Sequence, residues 1–199
     1  MCWGSIRMKR FVLFACFTGL LTCAGAVAQQ YQGQNRLAVP PDYREWVFLT
    51  SSLDLNYSDG AASRSVLDNV FVNPDAYRAF VRTGTWPDKT VIVKENRIAA
   101  SAGTISKSGK FQTQVMNMEM HVKDEARFPG KWAFFASSDG KAPGVLIPMT
   151  ADCYSCHSAH AAVDTTFVQF YPTLLEIAKS KNTLSPGYLS DQRTLPAVK

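Results

Sequence analysis

The spacing of apolar and polar residues divides the chain into a β-rich middle and helical flanks. Residues 101–109, rich in Gly and Ser, and Pro129-Gly130 mark turns between β-rich segments. No helical pattern separates the three strand-like segments that begin at Thr90, Phe111 and Trp132, so we predict antiparallel pairing among them. The segments with the composition or alternation of strands are Val66–Val72, Thr90–Ile98, Phe111–Val122 and Trp132–Ala136.

Before the second predicted strand, Asn73-Pro74-Asp75 is a typical helix start. The helix that it predicts ends near Gly84 and places Tyr77, Phe80 and Val81 on one face. This helix would cover part of the sheet.

From Ala151 onward, apolar residues repeat at helical spacing as far as Ala178. Pro172 lies inside this pattern and either kinks one helix or opens a second at its first turn. We therefore predict an α+β domain over residues 41–183, mostly antiparallel sheet with flanking helices. A loose polar segment, 29–40, would precede it and a tail, 184–199, would follow.

The first residues have the layout of a secretory signal peptide. Basic Arg7, Lys9 and Arg10 precede the short apolar run Phe11–Leu21 and the small-x-small site Ala26-Val27-Ala28. This order predicts a signal peptide over 1–28, cleaved near Ala28, and hence an exported, periplasmic protein. The alternative is a membrane anchor, for which the apolar run is short.

Composition agrees with one globular domain: 46% of the 199 residues are hydrophobic and 19% are charged. The formal net charge of +5 includes three basic residues of the predicted signal peptide, which holds no acidic residue. Cleavage would leave a net charge near +2, which does not argue for nucleic acid as a partner. No other segment is apolar enough to cross a membrane, so we expect no membrane association after cleavage.

Cleavage would also remove three of the five cysteines, Cys2, Cys16 and Cys23. A lipoprotein cysteine at Cys23 is disfavoured because the preceding Thr22 is larger than the residue usual there. The remaining thiols belong to the predicted C-terminal helical region. An exported compartment is oxidising, so a disulfide between them must be considered.

The remaining pair lies in Cys153-Tyr154-Ser155-Cys156-His157, a C-x-x-C-H motif. Two thiols one helical turn apart can each bond to a vinyl group of one haem, with the adjacent imidazole beneath the iron. The motif therefore predicts one covalently attached haem c with His157 as the iron ligand. The alternatives are a structural disulfide, a thioredoxin-like redox pair, which would follow a strand in a βαβ unit, and a zinc site, for which only His121 and His160 remain and neither has zinc-finger spacing.

Several further blocks of residues occur in a distinctive order between Pro41 and about Ala178. They are Asp42-Tyr43-Arg44-Glu45-Trp46, Thr90-Val91-Ile92-Val93-Lys94-Glu95, Glu119 followed by Val122-Lys123-Asp124, Arg127-Phe128, Trp132-Ala133-Phe134, the C-x-x-C-H motif and Phe167-Val168-Gln169-Phe170-Tyr171-Pro172. In this order and spacing, the chain resembles the cytochrome P-460 family of small exported c-type haem proteins.

The resemblance implies an antiparallel β domain with flanking helices, a homodimer and a five-coordinate haem with an open distal side. In members that oxidise hydroxylamine, a lysine is joined to the porphyrin, and the matching residue here is Lys94. A distal carboxylate handles protons, and the matching residue is Glu119. The resemblance also suggests that Arg64 faces the distal pocket.

The residues themselves leave both roles open. On its strand, Lys94 points with Ile92, and a lysine there ordinarily faces solvent. Held against a haem, its amine would be a nucleophile able to bond to an oxidised porphyrin. Glu119 shares a strand face with His121, and Met116, Met118 and Met120 occupy the opposite face. Either these methionines are core and Glu119 lies on a wet face, or Glu119 points into a pocket.

The leading hypothesis is an enzyme that oxidises hydroxylamine to nitrous oxide or nitric oxide and passes electrons to an external acceptor such as a small cytochrome. The second is a protein that binds nitric oxide or carbon monoxide, like the β-sheet form of cytochrome c prime. The third is an electron-transfer cytochrome with a methionine as sixth ligand, which would give a low-spin spectrum.

Overall fold

The fold is taken from a computed structural model. The structure describes residue 1 and residues 29–57, 64–101, 103, 105 and 107–194. The predicted signal peptide, apart from Met1, lies outside the described residues. Within the described residues, no helix is long and apolar enough to cross a membrane.

The core of the fold is an eight-stranded sheet in which every neighbouring pair is antiparallel. The strand order is β1-β2-β8-β7-β6-β5-β4-β3. The α+β class with a mostly antiparallel sheet is confirmed. The strands are β1 (Tyr31–Gln32), β2 (Arg36–Leu37), β3 (Val47–Leu53), β4 (Val66–Val72), β5 (Val91–Ala100), β6 (Phe111–Lys123), β7 (Trp132–Ser137) and β8 (Gly144–Leu146).

Within the described ranges, four α-helices and two short 3₁₀ turns flank the sheet. The turns span Tyr43–Glu45 and Val168–Phe170. The helices are α1 (Pro74–Thr83), α2 (Asp152–His160), α3 (Pro172–Lys181) and α4 (Pro186–Thr194).

Helix α1 begins and ends where the sequence predicts. Proline occupies its first turn, and Gly84 closes it in the left-handed region at φ 77°. Of the three residues predicted to share a face of this helix, Val81 is exposed, with 39% of its surface accessible. Ala76 and Phe80 are the buried pair. They are four residues apart and so lie on one side of the helix, whereas Val81 is turned away from it.

Pro172 opens a separate helix, so one of the two alternatives for this proline is confirmed. The 3₁₀ turn ends at Phe170, and Pro172 lies in the first turn of α3, where its missing N–H costs no helical hydrogen bond. The break turns the chain between Phe167 and α3, which lets this segment form one wall of a cavity.

The two segments predicted to flank the domain as a loose segment and a tail both contain regular secondary structure. The segment 29–40 contains β1 and β2, and Leu37 of β2 is buried where it pairs with β8. Strands of two residues are too short to show alternation, which is why the sequence pattern missed them. Strand β3 was also missed.

The expectation of a tail from residue 184 is wrong as far as Thr194. Helix α4 occupies this segment, and its Tyr188 is buried in the core. Gly187 lies so close to α2 that a Cβ at this position would come within 2.1 Å of the carbonyl oxygen of Ala159. A side chain there would separate α4 from α2. The packing of α4 depends on Tyr188 and on this close contact, so the sequence of α4 shows little apolar periodicity from which the helix could be predicted.

The sheet separates two apolar cores. One core lies between the sheet and the helices and includes Val70, Phe80 and Ile92, and we call this side of the sheet the helix side. The other core, on the opposite side, includes Val93 and Met120. Because side chains alternate along a strand, this division decides which residues of β4, β5 and β6 can reach the helices.

Candidate functional site

A cavity of about 420 Å³ lies on the helix side of the sheet, between strands β3–β6 and helix α2. Its sheet wall carries Asp68, Lys94, Glu119 and His121. A volume of this size falls within the range of roughly 300–1,000 Å³ typical of small-molecule and cofactor sites. The three aromatic residues that close the opposite wall are Phe167, Phe170 and Tyr171.

The C-x-x-C-H motif lies on helix α2, and all three of its defining residues line this cavity. Cys153 and Cys156 are free thiols, and both are partly buried. Their spacing of three residues places them one turn apart on the same face of the helix. Burial raises the pKa of the Cys153 thiol, so this cysteine is kept in its protonated form until it reacts.

His157 is held in one orientation by the loop that follows α2. Its Nδ1 lies 2.7 Å from the carbonyl oxygen of Thr165. A carbonyl oxygen only accepts, so Nδ1 carries the proton and donates it. Burial lowers the pKa of His157, which favours the neutral imidazole. The other ring nitrogen, Nε2, then has a free lone pair, the form of histidine that ligates iron.

His121 supports the ring of His157 from the sheet. The two ring centroids are 5.3 Å apart in an edge-on arrangement, and His121 stacks on Phe134 at 4.0 Å. Its Nε2 lies 3.3 Å from the hydroxyl of Thr165. Burial and the neighbouring His157 hold the pKa of His121 well below its usual range. His121 is thus a neutral packing partner beside His157 and does not face it across the cavity.

Lys94 and Glu119 meet on the cavity wall. They are direct partners in the register of β5 and β6, and Lys94 Nζ lies 3.5 Å from Glu119 Oε2. Their side chains are 34% and 49% exposed. Met118 and Met120 are buried in the opposite core. Glu119 thus lines the cavity while staying about half exposed, and two of the three methionines, Met118 and Met120, are core.

A family model described as cytochrome P-460 matches residues 40–168, which is more than half of the chain. The chain belongs to the cytochrome P-460 family. It is therefore a c-type haem protein of that family. A search of the curated proteins finds no match.

The site suits the haem of a cytochrome P-460 protein in three independent respects. The cavity is bordered by aromatic rings, with the centroid of Phe167 lying 4.1 Å from that of His157. A histidine with its Nε2 lone pair free faces the cavity, and two thiols lie beside it on the same helix. Cys153, Cys156 and His157 are the residues that would hold the cofactor.

Sequence reasoning missed one residue of the site in this cytochrome P-460 protein, Asp68. Its side chain is 6% exposed, lines the cavity and accepts a hydrogen bond from Ser52 Oγ at 3.3 Å. The signal was present, because Asp68 lies two residues before Val70 on β4 and so shares its face. An acidic residue on an otherwise apolar strand face is a candidate for a residue that lines a pocket.

Arg64, proposed for the distal pocket, is exposed, and it is not among the described residues that line the cavity. It directly follows residues 58–63, which lie outside the description. The part of the chain that the structure describes gives no support to a role for Arg64 at the site.

Proposed function

We propose that this protein attaches one haem covalently through Cys153 and Cys156, ligates its iron with His157, and oxidises hydroxylamine. The observation that carries the proposal is the Lys94–Glu119 pair, which lies on the wall of the same cavity as the C-x-x-C-H motif. Family membership supports it, because the family includes members that oxidise hydroxylamine.

When bound, the haem would supply an iron able to coordinate hydroxylamine and to relay electrons to an external acceptor. Glu119 is the proton acceptor, because an ionised carboxylate on the cavity wall can take a proton as electrons leave the substrate. Asn96 Nδ2 lies 3.4 Å from Glu119 Oε1 and limits the directions in which the carboxylate can point. The products would be nitrous oxide or nitric oxide.

We further propose that Lys94 Nζ bonds to the porphyrin ring. The bond replaces one N–H and one C–H bond with an N–C bond, and it releases two protons and two electrons to an external two-electron oxidant. The adjacent Glu119 carboxylate is placed to accept one of these protons from the amine. A bond of this kind would change the shape and electronics of the macrocycle.

The setting that we propose is the periplasm, after signal-peptide cleavage near Ala28. The protein would act there as a homodimer, without a membrane or nucleic acid as partner. A small cytochrome would serve as its electron acceptor. Covalent attachment suits such a compartment, since it retains a haem that could otherwise be lost.

The function is tested by mixing the purified haem-loaded protein with hydroxylamine and an oxidised acceptor, either a redox dye or a small cytochrome c. We expect acceptor reduction that depends on both the protein and hydroxylamine, with nitrous oxide or nitric oxide as product. If no acceptor is reduced while nitric oxide binds the ferrous protein, the protein is a gas-binding member of the fold. The apolar part of the cavity, with Val70, Ile92 and Phe167, would suit that alternative.

The lysine bond is tested by mass spectrometry of a tryptic digest. We expect the Lys94 peptide to appear joined to the haem peptide that contains Cys153 and Cys156, with cleavage after Lys94 blocked. Cleavage after Lys110 is the internal control, because Lys110 does not line the cavity among the described residues. A free, unmodified Lys94 peptide beside an intact haem peptide would contradict the cross-link.

A further inference from the structure

Three charged side chains from three adjacent strands line the cavity: Asp68 on β4, Lys94 on β5 and Glu119 on β6. We call them the charged row. Lys94 is directly opposite Glu119, and on the other side its register partner is Val70. Asp68 is two residues from Val70, on the same face of the strand, and is therefore a diagonal neighbour of Lys94. The row places a carboxylate on each side of the Lys94 side chain.

The two carboxylates of the charged row differ in their access to water. Asp68 is 6% exposed, whereas the side chain of Glu119 is 49% exposed. A buried carboxylate is costly unless polar partners surround it, and Asp68 has the hydroxyl of Ser52 at 3.3 Å. A carboxylate held in the cavity wall with limited access to water is placed to take up a proton there.

We propose that Asp68 is a second proton acceptor of the cavity and acts together with Glu119. This inference rests on the proposed oxidation of hydroxylamine. The two-electron step, NH₂OH → HNO + 2H⁺ + 2e⁻, breaks one N–H and one O–H bond and releases two protons. The electrons leave through the haem to the external acceptor, and Asp68 and Glu119 each take one proton. A single carboxylate would have to discharge its first proton before accepting the second.

The charges around Asp68 favour this use. Burial raises the pKa of Asp68, and the negative charges of Glu119 and Asp54 act in the same direction. The ammonium of free Lys94 and the hydrogen bond from Ser52 lower the pKa of Asp68 without cancelling the rise. The proposed bond to the porphyrin would remove this ammonium charge and so favour the rise further. A carboxyl that binds its proton at higher pH than usual is a better base near neutral pH.

One further titratable group, Tyr57, senses the Asp68 charge. Burial, first, and then the charges of Asp68, Cys156 and Glu119 raise the pKa of Tyr57 to about 12. Tyr57 stays protonated throughout the range in which carboxyl groups titrate. Its charge therefore does not interfere with a titration that reports on Asp68.

The test measures the midpoint potential of the haem-loaded protein against pH, together with turnover of hydroxylamine. The carboxylate charge stabilises the oxidised iron, so the wild-type potential should fall as pH rises through the pKa of Asp68. In Asp68→Asn the part of this fall that lies above the ordinary pH range of carboxyl groups should be absent, and turnover should drop by about 10²-fold, the lower end of the contribution usual for a general base. Asp75→Asn on α1 makes the same change at an exposed ion pair with Arg78 and should behave as wild type.

A second variant gives a shift of known sign. Ser52→Ala removes the hydrogen bond that lowers the pKa of Asp68, so the fall in potential should move to higher pH. The proposal is overturned if Asp68→Asn titrates like Asp75→Asn. If Asp68→Asn does not fold, an unshifted titration in Ser52→Ala overturns it instead.

These results separate this inference from the proposed function. If the wild-type protein does not turn over hydroxylamine, the proposed function fails. Turnover that requires Glu119 but is unchanged in Asp68→Asn, with an unchanged titration, removes the role of Asp68 alone.

Discussion

Replacing both Cys153 and Cys156 by serine in a Lys94→Arg background, which removes the proposed lysine bond, is expected to give a protein from which acidified acetone extracts all of the haem. The wild-type haem should remain with the polypeptide, because a thioether bond survives the acid that breaks the bond between histidine and iron. The two thiols lie on one face of α2 and both line the cavity, so either can reach a haem bound there. Absorbance of the extracted and the protein fractions measures the outcome.

The matched control for this prediction is Ser155→Ala. Ser155 lies on the same helix between the two cysteines but is exposed, and its hydroxyl donates to the carbonyl oxygen of Asp152. This variant should retain its haem as the wild type does. Haem that stays with the triple variant after extraction, or haem that is lost from Lys94→Arg alone, would contradict attachment through the two thiols.

The second large effect is expected from Glu119→Gln, which should lower kcat for hydroxylamine by about 10² to 10⁴-fold. Glutamine keeps the size of the side chain but cannot take up a proton at neutral pH. Because Glu119 is also the proposed proton acceptor during formation of the Lys94 bond, the digest test of that bond is repeated on the variant, and rates are compared only for protein in which the bond has formed. Steady-state rates with a fixed acceptor measure the effect.

Glu176→Gln is the comparison for this change. Glu176 lies on α3, its side chain is 71% exposed and it pairs with Lys179, so its substitution should leave kcat unchanged. Equal rates for the two variants would show that Glu119 is not the proton acceptor. In that case Asp68, which lies on the same cavity wall, would be the next residue to test.

The haem-binding residues could be found from the sequence because they are contiguous. Cys153, Cys156 and His157 lie within one and a half turns of a helix, so their mutual geometry depends on local backbone structure. The direction of Lys94 was also accessible, since alternation on one strand places it with Ile92 and opposite Val93. The structure confirms this division, with Ile92 and Val93 in different cores.

Other parts of the site depend on contacts between residues far apart in the chain. The pairing of Lys94 with Glu119 depends on the register of β5 and β6, which includes shifts near Arg97. A shift of one residue would turn Glu119 to the other face, so periodicity along either strand alone could not decide whether the two side chains meet. The same holds for the bond from His157 to the carbonyl of Thr165, which depends on the path of a loop.

The sequence by itself therefore determined the α+β class, most of the long strands, helix α1 and the haem-binding motif, because each depends on the spacing of residues that are close together in the chain. Only the tertiary structure decided that Glu119 faces the cavity, that Asp68 joins Lys94 and Glu119 on one wall, and that Pro186–Thr194 form a helix packed on α2. The physical reason is that strand register and helix packing are determined by the burial of side chains from distant segments, and a pattern within one segment carries no information about its partner.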